Sequence, residues 1–423
     1  MEILKIKNTR LLKFFLTIIS SFFLFFSFRQ LFLFSEENLI FFLLYLIFQF
    51  IIFLFIFFKN YLLINLFILI NLNLFLTPVF FNYTFDVPYR APNKTIEVNW
   101  KKDLKKGFEI EKHFSTTDSR GNRVNKNIDY EKKEKNTYRI FAIGASTTEL
   151  EGLDDKLIWS NLVVEKLKKT EMLKKNNYEI INFGVAGLRS MHHYYTLKRN
   201  LSSKPDLAIF LLGVNDWNYH IVNRNKKILV PILEIPFNFK NSLFFKFSVK
   251  IKKLSSKKKF QHNLNLNQKK NLENPYKSLI NENIMIKNNI KDFTTVDIKN
   301  VSDTYKFWLN KIIKVCKSKN LDCIFLDQPS LYNLEQEKIN QNKLWMNPPF
   351  EDYKVNLSDL VRIQNVYNSH LKKNTINSGQ YFCNLSEKIK SNDNNFLDDV
   401  HFTPRGSKMV ASILFECIKN QID

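Results

Sequence analysis

Apolar and polar positions divide the chain near residue 84. Before that point Leu11–Phe28 is apolar apart from Lys13 and a few hydroxyls, Leu39–Phe58 carries no charge, and Tyr61–Phe81 is a further uncharged run diluted by Asn65, Asn71 and Asn73. A helix needs about 20 apolar residues to cross the hydrocarbon core of a bilayer. The three runs therefore predict three transmembrane helices, a membrane anchor over residues 1–84. Lys5, Lys7, Arg10 and Lys13 cluster at the first helix, which predicts a cytoplasmic N-terminus. Three spans then put everything after about Phe85 outside the cytoplasm; two spans would put it inside.

Residues 85–136 are polar and read as a linker and lead-in, in which His113–Arg123 either packs against a domain edge or runs as a surface loop. From there short apolar runs alternate with helical periodicity. Tyr138–Ile143, Tyr178–Phe183, Asp206–Leu212, Leu321–Leu326 and Gln380–Leu385 have the length and character of buried strands. Asp155–Lys174, Met191–Leu201, Thr304–Lys319, Leu357–Lys373 and Pro404–Ile418 repeat apolar residues at helical spacing, the last with a proline at its start. Strand–helix alternation predicts a parallel sheet covered on both faces, a three-layer α/β/α domain over 137–423. The stretch from about 223 to 300 exceeds what a βα unit needs. It is a basic insertion containing Lys257-Lys258-Lys259, either a cap over a site or a solvated charged loop.

Charge changes the picture little. The 423 residues carry a net charge of +23, and the first 84 contribute six basic and three acidic residues to it, so +20 lies beyond them. Such a balance suits anionic lipid or polysaccharide. The aromatics do not interleave with the basic residues in a nucleic-acid-binding pattern, so no nucleic-acid partner is expected. Cys316, Cys323, Cys383 and Cys417 show no zinc spacing and read as structural, a disulfide among them being left open by the sequence. His192, His193 and His220 lack a third ligand at plausible spacing, so no metal is expected, nor an organic cofactor.

The candidate chemistry lies in four segments that follow apolar runs or precede the last helix. They are Ile143-Gly144-Ala145-Ser146-Thr147-Thr148, Asn182-Phe183-Gly184-Val185-Ala186-Gly187, Gly213-Val214-Asn215-Asp216 and Asp398-Asp399-Val400-His401. A serine hydroxyl is a poor nucleophile until a base lies within hydrogen-bond reach. His401 is the candidate base, and Asp398, three residues before it, can hold the imidazole in the required tautomer; Asp399 is the rival for that carboxylate role. Gly187 and Asn215 are candidate donors to an oxyanion, together with the N–H of Ser146, and a glycine at 187 would let a substrate approach the backbone. Trp217 and Tyr219 either line a pocket or pack in the core.

These segments, in this order, resemble the SGNH (GDSL-like) hydrolase family, with Ala145 standing where that family usually has an aspartate. His113–Arg123 resembles the segment ahead of the first strand in membrane-attached members. The resemblance implies a flavodoxin-like parallel sheet, a catalytic triad of Ser146, Asp398 and His401, and an oxyanion hole of Ser146, Gly187 and Asn215. It implies an acyl-ester hydrolase needing no cofactor. With the anchor, the expected substrate is an acylated envelope glycan or lipid, met on the periplasmic side of a bacterial inner membrane. An O-acyltransferase on the same fold uses the same residues, and a non-catalytic glycan-binding module is a further alternative.

Overall fold

A computed structural model describes residues 90–123, 128–170, 177–225, 293–335, 344–349, 351 and 353–421. The three apolar runs of the expected membrane anchor lie outside the described residues, as does most of the basic insertion. Among the described residues no helix is long and apolar enough to cross a membrane.

The chain enters through an antiparallel hairpin, β1 (Thr95–Asn99) and β2 (Lys112–Thr116). Next come β3 (Thr137–Gly144), the four-residue helix α1 (Ser146–Glu149), α2 (Trp159–Thr170), β4 (Asn177–Asn182), α3 (Ser190–Asn200), β5 (Leu207–Leu211) and α4 (Val214–Val222). After the insertion follow β6 (Phe293–Thr294), α5 (Asp303–Ser318), β7 (Asp322–Leu326), β8 (Lys354–Val355), α6 (Leu357–Asn377), β9 (Tyr381–Cys383) and α7 (Pro404–Gln421).

Five strands form one sheet in the order β4-β3-β5-β7-β9, and every pairing is parallel. Buried on both faces, such strands read as continuous apolar runs. Ile140, Phe141, Ala142 and Ile143 of β3 are fully buried, as are Leu207–Phe210 of β5 and Ile324–Leu326 of β7. Phe210 stacks on Phe325 across the β5–β7 pair, ring centroids 5.0 Å apart. Right-handed crossovers put helices on both faces: α2 packs with α7, while α3 packs with α5 and α4 with α6. The sequence spacing of α5 shows why it forms, since Tyr305, Trp308, Leu309, Ile312, Ile313 and Cys316 make one buried stripe. Ser302 caps it by accepting a hydrogen bond from the Tyr305 N–H, 3.2 Å away.

The cysteines form two disulfides, Cys316–Cys323 and Cys383–Cys417. The first ties the end of α5 to the β7 strand that follows it, and the second ties β9 to α7, 34 positions on and adjacent in the packed layers. Of the two readings of His113–Arg123, the structure shows packing against the domain rather than a surface loop. His113, Ser115, Asp118, Asn122 and Arg123 are buried, and the Arg123 N–H pairs with the Asn182 carbonyl at 3.2 Å.

The sheet order reverses between β3 and β5, because the chain leaves β3 for the edge strand β4 and returns to the other side. Sheets of this order open a crevice beyond the carboxyl ends of those strands. Ser146, Gly187 and Asn215 all follow strands at that end.

Candidate active site

Ser146 is the first residue of α1, directly after β3 and Ala145. As a first-turn residue its N–H has no partner within the helix's own ladder. Its side chain lies only partly buried, between the buried Ala145 and Thr147. The loop that opposes it closes on itself, since Phe396 and Phe402 form a bridge and the Leu397 N–H donates to the His401 carbonyl at 2.7 Å. Asp398 and His401 are presented on that loop.

The three side chains form one line. The Ser146 Oγ lies 2.8 Å from His401 Nε2, and His401 Nδ1 lies 2.7 Å from Asp398 Oδ2. An ionised carboxylate only accepts, so Nδ1 carries the proton and Nε2 is left to accept from the serine hydroxyl. The other oxygen, Asp398 Oδ1, accepts the N–H groups of Val400 and His401, each at 2.9 Å. Burial opposes charge on Asp398. The His401 charge and its ring hydrogen bond, with those two N–H donors, outweigh burial and hold the carboxyl below the usual carboxylate range. Burial likewise opposes the imidazolium of His401, but the Asp398 charge and hydrogen bond, helped by Glu149 and Asp399, raise its pKa above 6.5.

The rival carboxylate is occupied elsewhere. Asp399 accepts the Trp345 N–H at 2.7 Å, the Met346 N–H at 2.9 Å and the Tyr332 hydroxyl at 3.0 Å. Burial and then the neighbouring Asp398 charge raise its pKa despite those donors.

The two glycines of the second segment do different things. Gly184 lies against α1: a Cβ there would fall 2.3 Å from the Glu149 nitrogen. Its own N–H donates to Asn182 Oδ1 at 2.8 Å and is thereby used. Gly187 has φ +78°, and among the described residues beyond its two chain neighbours no atom lies within 4 Å of a would-be Cβ. Close approach of protein backbone is thus the demand at 184, and at 187 the demand within the protein is the left-handed conformation. Asn215 donates one amide hydrogen to the Leu188 carbonyl at 2.9 Å, which leaves its second hydrogen available and ties its side chain to the Gly187 loop. Asp216 fastens the same loop by accepting the Ser190 N–H at 3.1 Å and the Ser190 hydroxyl at 2.7 Å. Burial pushes the Asp216 carboxyl up to about 6 against those bonds.

The remaining candidates fall into place around this. Trp217 packs in the core, whereas Tyr219 is half-buried beneath Arg189, whose guanidinium carbon lies 3.6 Å from its ring centroid. His193 is buried in α3 and burial lowers it to about 3; His192, also lowered mainly by burial to about 4, accepts the Arg189 N–H at 3.0 Å. His220 contacts the Tyr367 hydroxyl at 3.0 Å. Among the described residues no cluster of three histidines, cysteines or carboxylates could hold a metal. The sequence reading assigned no role to Glu149, the last residue of α1, or to Arg90 and Arg123, which pack against that helix from the lead-in; the polarity of the two arginines gave no signal of burial.

No curated protein matches the chain. Solved structures similar to it include a catalytic mutant of an acetylxylan esterase from Geobacillus stearothermophilus, at 12% identity over 68% of this chain and 96% of that one, TM-score 0.37. A GDSL-like lipase from Bacteroides thetaiotaomicron is similar at 13% identity over 69% and 91%, TM-score 0.33. At such scores these likenesses carry no argument about this chain. The sequence profile described as GDSL-like Lipase/Acylhydrolase matches residues 140–414, which is more than half of the chain. Running from β3 into the last helix and spanning all four segments, that match makes the chain a member of the GDSL-like lipase/acylhydrolase family, a hydrolase of ester bonds.

Proposed function

We propose that the protein is a serine esterase that removes an acyl group from an envelope glycan or lipid outside the cytoplasm. The observation that carries the mechanism is the unbroken line from Asp398 through His401 to Ser146, with contacts of 2.7 and 2.8 Å. Ser146 Oγ attacks the ester carbonyl as His401 Nε2 takes its proton, and the resulting imidazolium is stabilised by Asp398. The oxyanion is received by the N–H groups of Ser146 and Gly187 and by the free amide hydrogen of Asn215. Collapse breaks the ester C–O bond, and the leaving alkoxide takes the proton back from His401. Water, deprotonated by His401, then attacks the acyl-enzyme and returns Ser146 to its starting state.

Two features support the location. The three apolar runs before residue 84 are long enough to anchor the chain with its catalytic part outside. Two disulfides among the described residues suit an oxidising compartment, since such bonds are rare where thiols are kept reduced. The substrate class follows from that location and from the basic character of the chain. Labelling of the full-length protein in membranes by a fluorophosphonate probe tests the nucleophile: the label maps to Ser146 and is lost in Ser146→Ala. Labelling elsewhere, or none, contradicts the mechanism. Release of free acetate from acetylated envelope polysaccharide, without transfer to an added sugar acceptor, tests hydrolysis as the outcome.

A further inference from the structure

Arg123 lies in the lead-in, outside the stretch that the family match covers, yet its side chain is fully buried against the nucleophile turn. Its Nη1 donates to the Glu149 carbonyl at 2.6 Å and also to the Leu150 carbonyl, its Nη2 donates to the Leu153 carbonyl, and its Nε donates to Asp155 Oδ1 at 2.9 Å. These acceptors close the helix that Ser146 opens. A four-residue helix leaves its last carbonyls without helical partners. Leu150, at φ 49°, turns the chain away there in the left-handed region. The planar fork of an arginine suits several such acceptors at once, and no lysine can present the same set.

A second arginine of the lead-in reaches the other half of the site. Arg90 pairs with the Glu149 carboxylate, both side chains being about nine-tenths buried. Burial raises the Glu149 carboxyl, and the Arg90 charge, then more weakly the nearby N–H of Ala186, the residue before Gly187, opposes that rise. The Glu149 backbone in turn abuts Gly184. The lead-in is held to the same turn by further bonds: Trp100 Nε1 to the Gly152 carbonyl at 2.7 Å, and the Asp154 N–H to His113 Nδ1 at 3.1 Å. The carboxylates of Asp154 and Asp155 accept the N–H groups of Phe114 at 3.0 Å and Thr116 at 3.1 Å.

We propose that Arg123 and Arg90 are positioning residues for the esterase site: Arg123 fixes the turn that carries Ser146, and Arg90, acting through Glu149, fixes the loop that carries Gly187. The proposal rests on the roles given above to Ser146 and Gly187. It makes the segment ahead of the sheet a working part of the site in this chain. Neither guanidinium touches the reacting atoms; each sets where a nucleophile or an oxyanion donor stands. A misplacement of about 1 Å at such groups can cost roughly a hundredfold in rate.

The test compares full-length Arg123→Ala, Arg123→Lys and Arg90→Gln with the parent. The readouts are kcat and KM on a chromogenic acetyl ester, melting temperature, and amide hydrogen exchange resolved by segment. The expected result for Arg123→Ala is a kcat lowered about tenfold or more at nearly constant KM. Faster exchange confined to 146–155 and 182–188 accompanies it, and added methylguanidinium restores part of the rate. Arg123→Lys falls between the two. Arg90→Gln raises exchange at 184–188 more than at 150–155. Unchanged exchange at both segments in folded variants overturns the proposal, as does a loss of activity that only tracks a global rise in exchange. Exchange is read whether or not the ester is turned over. Failure of the esterase mechanism, seen as equal rates for the parent and Ser146→Ala, is therefore distinguishable from failure of the clamp.

Discussion

His401 Nε2 and Ser146 Oγ meet at 2.8 Å although 255 positions separate them in the chain. One stands after β3 and the other on the loop before the last helix, so the other four strands of the sheet lie between them in sequence and the sheet fixes their distance in space.

That contact sets a pH dependence. Burial opposes the His401 imidazolium, but Asp398 outweighs it, and the ring pKa lies above 6.5. Activity needs the neutral ring, so kcat/KM rises with pH along an acid limb whose midpoint lies above 6.5. The stability contribution has the opposite sense. The folded state binds this proton more tightly than the unfolded chain, so the contribution is full below 6.5 and is lost as pH rises through the folded value. Asp398→Asn removes the main raising partner, so the limb moves to lower pH and the rate falls by about 10³–10⁴-fold. A limb that stays in place would contradict the assignment.

Asp398 and Asp399 separate by what their loss affects. Asp399→Ala leaves the Trp345 and Met346 N–H groups without their acceptor. Each such buried group costs about 1–3 kcal/mol. The expected result is a lower melting temperature, with the pH limb moved down less than by Asp398→Asn. Loss of turnover at an unchanged melting temperature would transfer the orienting role to Asp399.

The oxyanion donors give a third prediction. Asn215→Ala is expected to lower kcat by about 10²–10³ with little change in KM, as for loss of one such donor elsewhere. Gly187→Ala must hold φ +78° with a side chain, a strain of order 1–3 kcal/mol. Its expected effect is a lower kcat in a protein that still folds, because among the described residues beyond its two chain neighbours no atom crowds the new Cβ. An unchanged kcat in both variants would remove these groups from the mechanism.

The disulfides differ in the loops they close, 34 positions for Cys383–Cys417 and 7 for Cys316–Cys323. The chain-entropy argument gives about 4 kcal/mol for the first and about 2 kcal/mol for the second. Paired Cys→Ser variants should therefore lower the melting temperature more for Cys383/Cys417. The reverse order, measured by thermal unfolding at one pH, would contradict that reckoning.

The five sheet strands were legible because strands buried on both faces are runs of apolar residues, and each run lies within a residue or two of its strand at either end. The four site segments were legible because each sits at the end of such a run or before the last helix. The helix Val214–Val222 was not read, since nine residues with Trp217 and Ile221 buried give too short a stripe to show a period. The placement of His113–Arg123 was left open for a different reason. Arg123, His113 and Asp118 are buried by hydrogen bonds rather than by apolarity, and a hydropathy pattern registers them as solvent-facing. Cysteine pairing was closed to the sequence because four cysteines allow three connectivities, and only the adjacency of β9 with α7 and of α5 with β7 selects one.

The most direct measurement is the turnover of a chromogenic acetyl ester by the full-length protein and by Ser146→Ala, prepared alike and shown to be equally folded. The mechanism predicts Ser146-dependent turnover, with the variant slowed by about 10³-fold or more and its residual rate owed to binding and the oxyanion donors. Equal rates in the two proteins would contradict it.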